Sequence, residues 1–155
     1  MSRPTYSTYS GFGALLSDLN HYSQAARLPT SHPIIKCSGQ GGWNPDAEDF
    51  TEALTMPSTK ELVRQQVSQA FANVELTLKT AGCRGWSDVY LVRAYMVSGS
   101  NELMEIMQAT ADALRKWCPE HRPLLTVVEV KALADPRMCV EVEVEALLSP
   151  ESGTV

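Results

Sequence analysis

Residues 139–148, CVEVEVEALL, constrain the fold more than any other stretch. Val140, Val142 and Val144 alternate strictly with Glu141, Glu143 and Glu145. In an extended chain successive side chains point to opposite sides, so the valines share one face and the glutamates the other. A helix would scatter the same residues around its axis. The chain must therefore contain a sheet with at least one face against a core.

Other segments supply the rest of that sheet. DVYLVRAYMV is dense in β-branched and aromatic residues and predicts a buried strand. LLTVVEVKAL predicts another. HYSQAARL and HPIIKCSG predict two short strands joined by the turn-rich link PTSH. The Gly-, Pro- and acid-rich run GQGGWNPDAEDFTEALTMP predicts a loop.

Two helices cover the sheet. In the first, Ser58 and Glu61 have the spacing of a capping box. Val63, Val67, Ala70, Phe71, Val74, Leu78 and Ala81 then form an apolar stripe, and Gly82 sits where a left-handed cap belongs. The second spans about 101–117, with Leu103, Ile106, Met107, Thr110, Ala113, Leu114 and Trp117 on its stripe. Glu102 and Glu105 occupy its first turn, where carboxylates favour the helix dipole. Pro119 stops it.

The order β-β-α-β-α-β-β predicts an α+β two-layer domain. We expect residues 1–12 to be a loose arm, 13–148 a single domain and 149–155 a frayed tail. Two helices can cover only one face of such a sheet. The other face is expected to carry apolar side chains and to be buried by self-association.

Charge and cysteine content narrow the function classes. A net charge of -5 with no basic run argues against nucleic acid. Cys37, Cys83, Cys118 and Cys139 show no Cys-x-x-Cys pair and no zinc spacing, and buried reduced thiols in a cytoplasmic protein are expected. No apolar run approaches the ~20 residues needed to span a bilayer, so no membrane partner is expected. The N-terminal apolar patch is too short and interrupted for a signal peptide.

HYSQAARL, IKCSGQ, QAFANVELTLKTAG, SDVYLVRAYMV, PLLTVVEV and CVEVEVEAL occur here in sequence. Their order and spacing over residues 22–147 resemble the Rid family, the reactive intermediate deaminases, also described as YjgF-like or endoribonuclease L-PSP-like. The resemblance implies a chorismate-mutase-like fold, a homotrimer, and small-molecule clefts between subunits. Deaminating members hydrolyse 2-imino or enamino acids to 2-keto acids and ammonia without any cofactor. An arginine in their PARS-VEV motif grips the substrate carboxylate with a bidentate, charge-assisted pair.

Carried over by motif, the resemblance places Tyr22, Ser38, Gly39, Thr126 and Val127 in the cleft and makes Glu145 the catalytic acid that positions or activates water. Leu125 stands where the arginine should be. Trp43, after GQGG, is a candidate wall for a flat ligand. GQGG itself lacks the Gly-Lys-Ser/Thr ending of a phosphate loop. Arg93, His121 and Arg122 are further candidates. Arg93 is either a structural ion-pair partner or a replacement anchor. His121 is an acid–base candidate or an ordinary loop histidine. Arg122 lies about 10 Å upstream along the strand and on the opposite face, a poor substitute for the missing guanidinium.

A carboxylate entering a cleft walled by Leu125 loses its hydration with nothing in exchange, a penalty of several kcal/mol. The expected function is therefore a cofactor-free enzyme using acid/base chemistry on an imine, enamine or enolisable carbonyl compound. Hydrolysis, dehydration, isomerisation or cyclisation would fit, as would a place in a specialised biosynthetic pathway. Glu145, in an apolar cleft, is expected to have a raised pKa. A non-catalytic ligand-binding or chaperone-like trimer is the alternative, and a conventional 2-iminobutanoate/2-iminopropanoate deaminase the second. The ribonuclease reading has no basic groove to support it.

Overall fold

The computed structural model describes residues 4–10, 12–29, 31–97 and 103–148. In chain order the elements are β1 (Thr5–Ser7), α1 (Phe12–Asn20), β2 (Ala25–Arg27), β3 (Ile34–Gly41), α2 (Phe50–Ala53), α3 (Lys60–Thr80), β4 (Val89–Met96), α4 (Leu103–Trp117), β5 (Leu124–Glu129) and β6 (Val140–Leu147). A 3-10 turn at Trp86–Asp88 leads into β4.

The main sheet runs β3-β6-β4-β5. β6 is antiparallel to both its neighbours, whereas β4 and β5 are parallel and joined through α4. A ribbon of β1 and β2 stands apart. The expected α+β two-layer order is present, with β1, α1 and α2 added to it.

The alternation in β6 behaves as its pattern requires. Val140, Val142, Val144 and Ala146 are all 0% exposed. Val144 pairs with Cys37 on one side and Val92 on the other; all three belong to the core beneath α3 and α4. The α3 stripe meets them with Val63, Val67, Ala70, Phe71, Val74 and Leu78, each buried. Phe71 stacks on Trp86 at 4.6 Å, and the Trp86 indole N–H donates to the Phe71 carbonyl at 2.9 Å. A buried indole thus keeps its hydrogen bond while adding a large apolar area to the core.

The ends of α3 show one correction and one agreement. Thr59 is the N-cap, not Ser58: the Thr59 hydroxyl accepts from the Leu62 N–H at 3.2 Å. At the other end Cys83 N–H donates to Leu78 and Gly82 N–H to Lys79, with Gly82 at φ 87°. That is a Schellman closure, and glycine takes the left-handed position without steric cost. The expected role of Glu102 in the first turn of α4 lies outside the described residues.

The N-terminal region departs from expectation. Thr5–Ser7, inside the segment expected to be a loose arm, pair with Ala25–Arg27. FGALLSDLN forms α1, a helix absent from the expected element order, and His21 follows its last residue with φ 54°. HYSQAARL contributes only the three residues of β2, plus a bridge from Ser23 to Leu124. The GQGG loop is shaped by crowding: a Cβ at Gly42 would lie 2.2 Å from the Gln66 carbonyl oxygen.

All four cysteines are buried thiols. Among the described residues no helix is long and apolar enough to cross a membrane. No described group of His, Cys, Asp and Glu is arranged to hold a metal ion.

The face turned away from α3 and α4 carries apolar side chains as expected, and a charged network with them. Its centre is charged, with Arg93 bridged to Glu143 and Glu145. Apolar side chains lie at its margins, where Ile34 is 46% and Val128 42% exposed.

Candidate functional site

The predicted site residues fall into two groups on different parts of the sheet. The first gathers at β5, an edge strand. The Ser23 N–H donates to the Pro123 carbonyl at 2.8 Å, which lays the chain after α1 along the start of β5. Asn20 and Tyr22 thereby face Leu125 and Val127 across an open cleft of ≈170 Å³. Met107, Thr110 and Ala111 of α4 close its inner side. Leu125 and Val127 also pack against the core, so this wall is apolar and anchored. The Tyr22 hydroxyl accepts from the Gln24 amide at 3.0 Å.

The second group surrounds Glu145 on the other face. Register explains the separation. Leu125 pairs with Val92, and Val92 with Val144. Leu125 therefore shares the side of Val144, and Glu145 takes the opposite one. Within one chain Leu125 and Glu145 thus lie on opposite faces of the sheet, whereas the expected cleft lies between subunits. Thr126 pairs with Arg93 and is exposed on the charged face, away from Leu125 and Val127.

Glu145 is not the lone acid of an apolar pocket. Its side chain is 14% exposed and is held by the Tyr90 hydroxyl, by Lys36 at 3.6 Å and by Arg93 at 3.5 Å. Arg93 also meets Glu143 at 2.9 Å, and the Tyr95 hydroxyl donates to Glu143 at 3.0 Å. The Tyr90 hydrogen bond, reinforced by the Lys36 and Arg93 charges, pulls the Glu145 carboxyl below its ordinary range. This reverses the expected rise. Desolvation opposes the shift but is outweighed, because partners surround the carboxylate.

Ser38 and Gly39 lie on β3, at the opposite edge of the sheet from β5. With strands about 4.8 Å apart, three spacings put them roughly 14 Å from Leu125. Ser38 is exposed, and the Glu141 carboxylate occupies the space a side chain at Gly39 would need.

The remaining candidates have structural partners. Trp43 packs its ring beside Gly41, its carbonyl accepts from Asn73, and it is not among the residues lining the β5 cleft of its own chain. His121 Nε2–H donates to the Val89 carbonyl at 2.7 Å, and its ring lies 5.6 Å from that of Tyr6. Arg122 pairs with Asp18 on α1 and stays out of the cleft.

Sequence reasoning missed Asn20, Thr110 and Ala111 in the cleft, and Lys36, Tyr90 and Tyr95 on the charged face. Thr110 carried a weak signal, a hydroxyl in an apolar stripe. Lys36 and Tyr90 had none, because only the register of β3 and β4 against β6 brings them to Glu145.

Comparison with known proteins follows the same lines. Among curated proteins no match was found. Solved structures share the fold. YyfB, a Rid-family protein of unknown function from Yersinia pestis, is 22% identical at TM-score 0.74, over 95% of this chain and 100% of its own. YyfA from the same organism, also a Rid protein, is 25% identical at TM-score 0.58, over 82% of this chain and 87% of its own. E. coli TdcF, solved with bound serine, is 19% identical at TM-score 0.60, over 83% and 88%. Such proteins are typically homotrimers with a chorismate-mutase-like fold. The family model for endoribonuclease L-PSP matches residues 14–148, and the chain belongs to that family, which is also the Rid/YjgF family.

Proposed function

We propose that this chain is a cofactor-free small-molecule enzyme that works at clefts between its own copies. Its substrate is an imine, enamine or enolisable carbonyl compound without the carboxylate of a 2-imino acid. The observation that carries this reading is the makeup of the β5 cleft. Leu125 and Val127 face Met107 and Ala111, and no cation is among the described lining residues. An anion entering there would be desolvated without a partner, whereas a neutral ligand would not.

A second copy completes the site in this reading. The Tyr22, Leu125 and Val127 half lies at one edge of the sheet, and Ser38 and Gly39 lie at the other. Edge-to-edge contact between copies is heterologous and closes into a ring, which suits a trimer. The neighbour's β3 edge would bring Ser38 and Gly39 toward the β5 cleft, with Lys36 and Glu145 beside them on the paired strands β3 and β6.

Glu145, held ionised, is suited to accept a hydrogen bond from water or to stabilise a cationic iminium. For an imine the balanced step is addition of water to the C=N carbon, proton transfer to nitrogen, and departure of ammonia with formation of C=O. The same charge state favours a second reading. A carboxylate tied to Tyr90, Lys36 and Arg93 is a poor proton shuttle, as expected of a trimer that binds its ligand without turnover.

The test supplies 2-aminoacrylate generated in situ, beside a panel of neutral imines and enolisable ketones, and follows ammonia or product release. Turnover within the neutral panel and little from aminoacrylate is the expected result. Fast ammonia release from aminoacrylate would overturn the proposal. Tight binding with no turnover would favour the second reading.

A further inference from the structure

The helix layer holds a second concavity, apart from the β5 cleft. It is a groove of ≈190 Å³ between α3 and α4. Arg64 and Ser68 of α3 line one side, and Ala109, Ala113, Lys116 and Trp117 of α4 the other. Ala109 and Ala113 are small and buried, which leaves room between the helices. Trp117 is half-buried, packs against the core, and has its ring 6.4 Å from that of Trp86. α4 therefore serves two places: Met107, Thr110 and Ala111 line the β5 cleft, and a different flank lines this groove.

The charges beside the groove do not balance. Lys60, Arg64, Arg115 and Lys116 share two carboxylates, those of Glu105 and Asp112. Glu105 takes Lys60 at 3.7 Å and Arg64. Asp112 takes Arg64 at 3.3 Å, Arg115 at 3.2 Å and the Gln108 amide at 3.0 Å. Both acids are thus engaged several times over. Lys116 is left out. Among the described residues its ammonium meets no carboxylate and lies 5.4 Å from the centroid of the Trp117 ring. A chain of net charge -5 has a local excess of positive charge here. The dipole at the C-terminus of α4 favours cations in its last turn. That accounts for Arg115 and Lys116 as residue types, but not for the groove beside them.

We propose that this groove binds a small carboxylic acid with an apolar body, a single ring or a short chain. The carboxylate meets the Lys116 ammonium in a charge-assisted hydrogen bond. The body lies over Ala109 and Ala113 against Trp117. An apolar wall with one fixed polar contact is the usual makeup of a small-molecule site. An uncharged body alone would leave Lys116 unanswered, and a bare inorganic anion would leave the apolar wall in water. The site stands on its own residues and does not depend on the chemistry proposed for the β5 cleft.

The experiment uses the full-length chain, with phenylacetate and its uncharged analogue phenylacetamide as probes. NMR shifts of the Ala109 and Ala113 methyls and of the Trp117 indole N–H report the groove. Shifts of the Leu125 and Val127 methyls report the β5 cleft. Phenylacetate is expected to move the groove signals, and phenylacetamide to bind there about fivefold more weakly, the scale of one partly exposed ion pair. Lys116→Gln should weaken phenylacetate about fivefold, leave phenylacetamide as it was, and so erase the preference. Ser68→Leu, at an exposed position, fills the groove and should abolish binding of both. Solution mass and melting temperature of each variant exclude misfolding as the cause.

Groove signals that stay still with phenylacetate overturn the site. Equal binding of the two probes, or a preference that survives Lys116→Gln, overturns the acidic ligand class. An acidic amphipathic peptide tests the rival occupant: groove shifts with the peptide and none with phenylacetate overturn the small-acid class. Phenylacetate shifts confined to Leu125 and Val127 overturn this inference and, separately, the neutral substrate proposed for the β5 cleft.

Discussion

The two sides of β6 are built on different principles although they belong to one strand. Val140, Val142 and Val144 are wholly enclosed under α3 and α4. Any apolar side chain of suitable volume could replace them at moderate cost. Glu143 and Glu145 depend on particular partners supplied by other strands: Arg93, Tyr90 and Tyr95 from β4, and Lys36 from β3. Enclosure is non-directional and follows periodicity. Ion pairing is directional and follows register. The covered face therefore tolerates exchange among apolar residues, and the charged face depends on each partner being in place.

Neighbouring substitutions on β6 test this contrast most severely. Val142→Asp places an unpaired carboxylate in the core and should cost about 3–5 kcal/mol. Glu143→Val, one residue on, should change stability by no more than about 1 kcal/mol, since Glu143 is 35% exposed and its ion pairs are partly solvated. Urea denaturation followed by circular dichroism gives both values. Equal losses from the two would erase the distinction between the faces.

Glu145→Gln probes the charged face more finely. Removing an ionised acceptor with three partners should cost about 1–2 kcal/mol at neutral pH. The sign of its pH dependence is fixed by the depressed folded-state pKa. The contribution is full above the unfolded carboxyl pKa of about 4.3 and is lost as pH falls through the lower folded value. The original chain should thus lose stability more steeply in acid than the Gln variant, with the two curves converging at low pH. Parallel curves from pH 7 to pH 3 would mean that Tyr90, Lys36 and Arg93 do not hold the carboxylate.

The covered face has a smaller test at the entry to α3. Thr59→Ala should cost about 1 kcal/mol, and Ser58→Ala only a few tenths. The reverse order would restore the capping box read from the sequence and displace the cap seen in the structure.

These contrasts also show how far the sequence could be read. The strands β4 and β6 and the helices α3 and α4 were legible because their apolar periods of two and of three to four are strong. α1 was not, because its nine residues are too few for a strong apolar period and follow a stretch rich in Ser, Thr and Tyr. Its docking is tertiary, through Arg115, His21 and Arg122. The cleft was legible in part. Tyr22, Leu125 and Val127 do meet at its wall. Thr126 and Glu145 stand on the other face of the same chain, since adjacent residues on β5 face opposite ways and Glu145 follows the parity of the charged face.

The sequence by itself determined that β6 has one apolar and one acidic side, that helices cover the apolar one, and that a leucine stands where a guanidinium is expected. These properties belong to a single segment and its period. Tertiary structure decided which side of the sheet each cleft residue occupies, that the predicted site is divided between two sheet edges, and that Glu145 is held as a charged group. The physical reason is that strand order and register are set by contacts between distant segments. A carboxyl's ionisation is then set by whatever those contacts bring within a few ångströms of it.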